Sequence, residues 1–177
     1  ARGEVARRPA AVGGGAGAVS LGAGPFSGVR ACGGGAKTGG CVINDGVNEA
    51  REALAAADGL IVGTPVHYAS PAGALLAFLD RMFYAGAERF AHKPAAAFAC
   101  ARRAGTTASL AVINKYFTIS QMPVVSSTYG SQIYGGAPGD ASHDAEGLQT
   151  ARNLARNMAW LLKCIAAGPE PPEAETA

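Results

Sequence analysis

The sequence predicts an α/β fold, a doubly wound parallel sheet sandwiched in three α/β/α layers. Two observations predict it. Leu60-Ile-Val62 and Ala95-Ala-Ala-Phe-Ala-Cys-Ala101 are short apolar runs of the kind found in parallel strands covered on both faces. Each is followed by a polar turn and then by a segment with helical spacing, so strand and helix alternate. That order implies right-handed crossovers and helices on both faces of one sheet.

The elements follow in chain order. Residues 1–17 are rich in Ala, Gly and Arg, and Gly13, Gly14, Gly15 and Gly17 break any regular element. They read as a low-complexity, disordered segment ahead of a single domain at 18–167. Ala18–Leu21 reads as a short strand and 22–46 as a long Gly-rich loop. Asp45 is placed to cap a helix through Val47, Ala50, Leu54 and Ala57. After the strand at 59–63, Ser70 is a cap candidate, and Pro71 fits the first position of a helix at 71–85. Leu75, Phe78, Leu79, Met82 and Phe83 form its apolar face. The strand at 95–101 leads to a turn at Arg102–Gly105 and a helix capped by Thr106 or Thr107, with Leu110, Ile113, Asn114 and Phe117 along it. Met122–Ser127 reads as a third strand, and Thr128 to about Ser142 as a loop. A final helix over 143–166 places Leu148, Ala151, Leu154, Ala155, Met158, Leu161, Leu162 and Ile165 on one face. Gly168-Pro169 stops it, and 168–177 is an acidic, Pro-containing tail expected to be disordered.

Composition narrows the function. The 177 residues suffice for one domain with a core, although much of the 49% hydrophobic fraction is Ala, which buries little area. A formal net charge of +2 gives no footprint for nucleic acid. The sequence has no run of about 18 apolar residues, so no membrane span is expected, and a cytoplasmic setting follows as the default. Cys32, Cys41, Cys100 and Cys164 match no standard zinc spacing and read as thiols in a reducing compartment. The run Gly33-Gly-Gly35 lacks the preceding strand that a phosphate cradle requires.

In open α/β sheets, ligands bind at the carboxyl ends of strands. Thr64–Ser70 and Arg102–Thr106 are therefore the candidate site. The residues alone leave a plain strand-to-helix connection open for the first loop. They leave a solvated turn open for Arg102 and Arg103, and a subunit contact open for Tyr68, Tyr129 and Tyr134.

Gly63-Thr-Pro-Val-His-Tyr-Ala-Ser-Pro-Ala-Gly-Ala-Leu-Leu-Ala-Phe-Leu-Asp-Arg81 resembles the second flavin loop and following helix of NADPH-dependent FMN reductases of the flavodoxin-like superfamily. Ala101-Arg-Arg-Ala-Gly-Thr-Thr107 resembles their next flavin loop, and 114–127 and 147–160 extend the likeness. The resemblance implies one FMN at the carboxyl edge of the sheet. Thr64, Pro65, Val66, His67, Tyr68 and Ser70 would run along the isoalloxazine ring, and Arg102, Arg103, Ala104, Gly105 and Thr106 along its other border. No side chain is implied as acid, base or nucleophile. NADPH would be the hydride donor, a quinone or flavin a small-molecule acceptor, and a homodimer the assembly.

Two departures from the family pattern stand out. The opening strand and the Gly-Ser-Pro-Arg-type phosphate loop are not found, and no apolar strand precedes the glycines of residues 1–20. Iron-sulfur flavoproteins of the same likeness carry Cys-x2-Cys-x2-Cys and a later Cys. Here only the middle position (Cys32) and the later one (Cys41) remain, and two thiols do not make a four-thiolate site. No cluster is expected. The rival readings are a flavin-binding electron carrier without NADPH turnover, and a degenerate flavodoxin-like domain that binds no FMN.

Overall fold

β5 (Ala95–Ala101) organises the domain, because its alternation serves two cores at once. Ala95 and Ala97 face a cluster built from Val62, Phe78, Leu79, Met82, Phe83, Ile113 and Phe117. Ala96 and Phe98 face a smaller one with Val125, Leu154 and Met158. This period-2 division is what a strand covered on both faces requires. The computed structural model describes residues 6–11, 15–22 and 24–173.

β3 (Leu60–His67) runs parallel to β5, with Leu60 opposite Ala95 and Pro65 opposite Cys100. β6 (Gln132–Tyr134) runs parallel on the other side of β5. β4 (Ser70–Pro71) folds back antiparallel on β3, giving the order β4-β3-β5-β6. α2 (Val47–Ala55), α3 (Gly73–Tyr84) and α4 (Thr106–Ile119) supply the larger core. α5 (Ala145–Ala167) supplies the smaller one. The α/β/α layering is the flavodoxin-like architecture expected from the sequence. Among the described residues no strand precedes β3 in this sheet. No helix there is long and apolar enough to cross a membrane.

Aromatic packing dominates the α3–α4 layer. Phe83 meets Phe90 with ring centroids 5.3 Å apart and Tyr116 at 5.4 Å, both geometries favourable for aromatic pairs. Phe26 stands edge-on to Phe78 at 5.2 Å and pins the long loop before α2 onto α3. The five expected apolar positions of α3 hold: Phe78, Leu79, Met82 and Phe83 are buried and Leu75 is half-buried, whereas Tyr84 points to solvent.

Several local expectations are corrected. Ser70 and Pro71 do not open a helix; they form β4, and α3 begins at Gly73. Asp45 does not cap α2, whose cap position is Gly46 at φ 93°; its carboxylate is drawn instead to Arg81. Neither Thr106 nor Thr107 caps α4, because Gly105 takes that position and offers no side chain. The third strand is not continuous over Met122–Ser127. Val124 bridges Ala95, the chain leaves the sheet through Ser126–Gly130, and pairing resumes at Gln132. Pro123 has no N–H to extend a ladder, so only its carbonyl is used, accepting from Ala95 N–H at 2.8 Å. The loop at 22–46 contains a one-turn helix, α1 (Gly35–Thr38). Where loose chain was expected up to residue 17, β1 (Ala6–Ala11) pairs antiparallel with β2 (Gly15–Ser20). The expectations for residues 1–5, 12–14 and 174–177 lie outside the described residues, and 169–173 carry no regular element.

Candidate functional site

The carboxyl end of β3 does not simply turn into a helix. Val66 and His67 pair with Pro71 and Ser70, so Tyr68 and Ala69 form a two-residue hairpin loop. Both sit at positive φ, 49° and 58°. A two-residue loop with two left-handed residues normally selects Asn-Gly or Asp-Gly. Tyr-Ala carries two Cβ atoms into that region, at a cost of order 1 kcal/mol or more each. Such strain persists only where the surroundings enforce it, and it gathers at functional sites.

The enforcing contact comes from the other predicted loop. A Cβ on Gly105 would lie 2.4 Å from the Ala69 Cα and 2.8 Å from a Val66 methyl. Gly105 itself has φ 95°. Only glycine permits both the backbone angle and the approach. The structure therefore brings the two loops into contact through Val66, Ala69 and Gly105.

Thr64 locks the base of the hairpin. Its hydroxyl, buried, accepts from the Ala72 N–H at 3.1 Å and donates to the Pro65 carbonyl at 2.8 Å. Thr106, also buried, shares a 3.1 Å hydroxyl contact with Tyr134. Tyr134 is fixed in turn by Asp144, whose carboxylate accepts from the Tyr134 N–H at 2.8 Å and from the Gly147 N–H at 2.9 Å. These two backbone donors, Gly147 first, hold the Asp144 carboxyl below its ordinary range.

The remaining predicted residues stand differently. Pro65, His67, Tyr68 and Ser70 are exposed, and Tyr68 projects fully into solvent. Arg102, Arg103 and Ala104 are exposed on the turn after β5. α4 begins with no side-chain cap and no acidic residue in its first turn. The first-turn N–H groups of a helix have no partner within it and carry its positive dipole end. The site thus offers a ledge of backbone donors, two cationic side chains and an exposed aromatic ring.

Sequence reasoning missed Ala69, whose backbone is the contact point, because nothing in Tyr-Ala signals left-handed geometry. It also missed Asp144 as the group that sets Tyr134. The Asp144-x-x-Gly147 spacing at a helix start was the available signal.

A family model described as NADPH-dependent FMN reductase matches residues 19–134. An iron-sulfur flavoprotein of Methanocaldococcus jannaschii is 34% identical over 133 residues, covering 71% of this chain and 69% of that protein. Among solved structures, RosB with bound 8-demethyl-8-formylriboflavin-5′-phosphate aligns with a TM-score of 0.58 at 15% identity, covering 73% of this chain and 56% of RosB. A flavodoxin, a WrbA-like protein from Agrobacterium tumefaciens, aligns with a TM-score of 0.50 at 20% identity, covering 63% and 73%. At these identities the structural likenesses speak for the fold.

Proposed function

The chain belongs to the NADPH-dependent FMN reductase family, and on that premise we propose that it is an FMN-dependent oxidoreductase. It takes hydride from NADPH and passes electrons to a small-molecule acceptor such as a quinone or a free flavin. A cytoplasmic homodimer is part of the same reading. The observation that carries it is the strained hairpin at Tyr68-Ala69 seated on Gly105, beside the uncapped start of α4.

The residues fit the ring half of FMN. Backbone groups of 64–70 and 102–106 would meet the polar edge of the isoalloxazine, and the α4 dipole end favours electron density placed there. Arg102 and Arg103 would offset negative charge on the ring or meet the phosphates of NADPH. Tyr68 would stack on a planar ligand. Bound FMN would supply the hydride and electron chemistry, while the chain binds, orients and sets the local potential. The phosphate half is different. Among the described residues no strand of the β4-β3-β5-β6 sheet precedes β3, and α1 is only four residues long.

The iron-sulfur name of the archaeal relative does not carry over to a four-thiolate cluster. Val29 and Gly35 stand where two of the thiols would be needed.

The test is the visible spectrum after incubation with FMN or riboflavin and desalting, followed by NADPH oxidation. Retained flavin with turnover supports the reading. Retained flavin without turnover would make the chain an electron carrier. A colourless protein would favour the flavin-free domain.

A further inference from the structure

A third strand-end segment joins the two loops of the site. β6 ends beside the 102–106 turn, and three contacts tie them together. The Gly135 N–H donates to the Ala101 carbonyl at 3.0 Å. The stem of Arg102 runs along Gly136, its Cγ 3.5 Å from where a Cβ on that glycine would stand. The Tyr134 hydroxyl lies 3.1 Å from the hydroxyl of Thr106, the first residue of α4.

The backbone donors of this segment are engaged within the protein. The Gly135 N–H is taken by Ala101, and the Gly136 and Ala137 N–H groups donate to Asp140 Oδ2 at 3.1 and 2.8 Å. Gly135 also packs closely on its own loop, since a Cβ there would lie 2.7 Å from the Ala141 nitrogen. What the segment brings to the carboxyl edge of the sheet is the half-buried ring of Tyr134.

The sequence leaves Tyr68, Tyr129 and Tyr134 as equal candidates, and the structure separates them. Tyr68 and Tyr129 project into solvent, and among the described residues no hydrogen bond holds either hydroxyl. Tyr134 is held at both ends, by Thr106 at its hydroxyl and by the Asp144 carboxylate at its N–H, at 2.8 Å. Asp144 is itself anchored by the Gly147 N–H at the start of α5, at 2.9 Å. The ring is therefore fixed from α4 and from α5 together. A ring already fixed loses little freedom when a ligand meets it, so more of the contact energy appears as affinity.

We propose that Tyr134 is a further cofactor-contacting residue, whose ring forms a fixed aromatic wall against the isoalloxazine of bound FMN. The inference rests on the flavin reading above and adds a third strand end to it. The division of labour is chemical. The 64–70 and 102–106 loops bring backbone groups for the polar edge of the ring system, and Tyr134 brings an aromatic surface for its flat, apolar part.

The experiment titrates FMN into the full chain and follows flavin fluorescence, for wild type, Tyr134→Phe, Tyr134→Leu and Tyr129→Leu. A phenol in contact with an excited flavin gives it an electron far more readily than a benzene ring does, so a touching tyrosine quenches the emission. FMN should be quenched on binding to wild type and brighter when bound to Tyr134→Phe, a change that loss of stability alone does not produce. Tyr134→Leu should also weaken binding roughly tenfold, the worth of one aromatic contact. Tyr129→Leu should bind and quench as wild type does. Equal affinity and equal quenching in wild type and both Tyr134 variants would overturn the inference and leave the flavin reading standing. A wild-type chain that binds no FMN would overturn the reading, and the inference with it. Circular dichroism checks folding, and Tyr134→Phe keeps the ring volume, so the fluorescence test stands even where Tyr134→Leu does not fold.

Discussion

The two faces of the sheet are built differently. On the α3–α4 face, Phe78, Met82, Phe83, Ile113 and Phe117 are buried against Val62, Ala95 and Ala97. On the α5 face the helix buries only two large apolar side chains, Leu154 and Met158, beside Gly147 and Thr150, while Trp160 and Ile165 are exposed. β3 records the same contrast residue by residue. Val62 and Thr64 are buried toward α3 and α4, whereas Ile61, Gly63 and Pro65 on the other face are exposed. What holds α5 is polar stitching. Ser127 donates to the Thr150 carbonyl at 2.6 Å, Asn157 to the Ser126 carbonyl at 2.8 Å, and Asn153 to the Thr128 hydroxyl at 2.8 Å. One helix layer is secured by burial, which scales with area, and the other by directional bonds worth about 1 kcal/mol each.

The largest expected effect tests that contrast directly. Phe117→Ala removes a fully buried ring from the packed face and should cost about 3–5 kcal/mol. Ile165→Ala on α5 should cost under about 0.5 kcal/mol, as for other exposed positions. Urea unfolding measures both, with the slope unchanged. Comparable losses would mean that the α5 face is covered in solution, and the contrast would fall.

A smaller effect is expected where the packed face meets the site. Gly105→Ala forces a side chain into a left-handed position and onto the Ala69 backbone, at a cost of about 1–3 kcal/mol. It should also displace the hairpin and reduce flavin retention. Gly63→Ala is the matched control. That Cβ meets nothing within 4 Å on the open face, so stability should stay within about 0.5 kcal/mol. A neutral Gly105→Ala, in stability and in flavin retention, would remove the loop contact from the argument.

These two regions also mark how far the sequence was legible. The apolar runs at 60–62 and 95–101 and the helical spacing of α3 and α4 announced the sheet and its packed face, because burial imposes a period that residues display. The α5 stripe was read with equal ease, yet Ala155 and Ile165 lie exposed. A period reports which face is apolar, and a partner must still exist to cover it. The turn at 102–106 was placed correctly at a strand end, whereas 64–67, read as loop, continue β3, and the chain turns only at Tyr68 and Ala69. The contact between the two turns was invisible, since Tyr68 and Ala69 carry no left-handed signal and Gly105 meets Ala69 only in three dimensions. Asp45 and Arg81 were beyond reach for the same reason: 36 residues separate them, and no local rule pairs them.

The smallest effect concerns the start of α5, where stitching replaces burial. The Asp144 carboxyl is held low by the Gly147 and Tyr134 N–H groups, so it is more acidic folded than unfolded. The sign follows from proton binding: the unfolded chain takes up the proton first as pH falls. The contribution of Asp144 is therefore complete above the ordinary aspartate range and disappears as pH drops through the lowered value. Asp144→Asn removes the charge and leaves one acceptor oxygen for the two N–H groups of Gly147 and Tyr134. Its melting temperature should lie below wild type at neutral pH, and the gap should close on acidification. The Glu52 carboxylate, held low by Arg89 at α2, titrates in both proteins and drops out of the difference. A gap that stayed constant from neutral to acid pH would show that the α5 start is held by shape alone, leaving the neutral side-chain bonds of 150–157 as the main tether of that face.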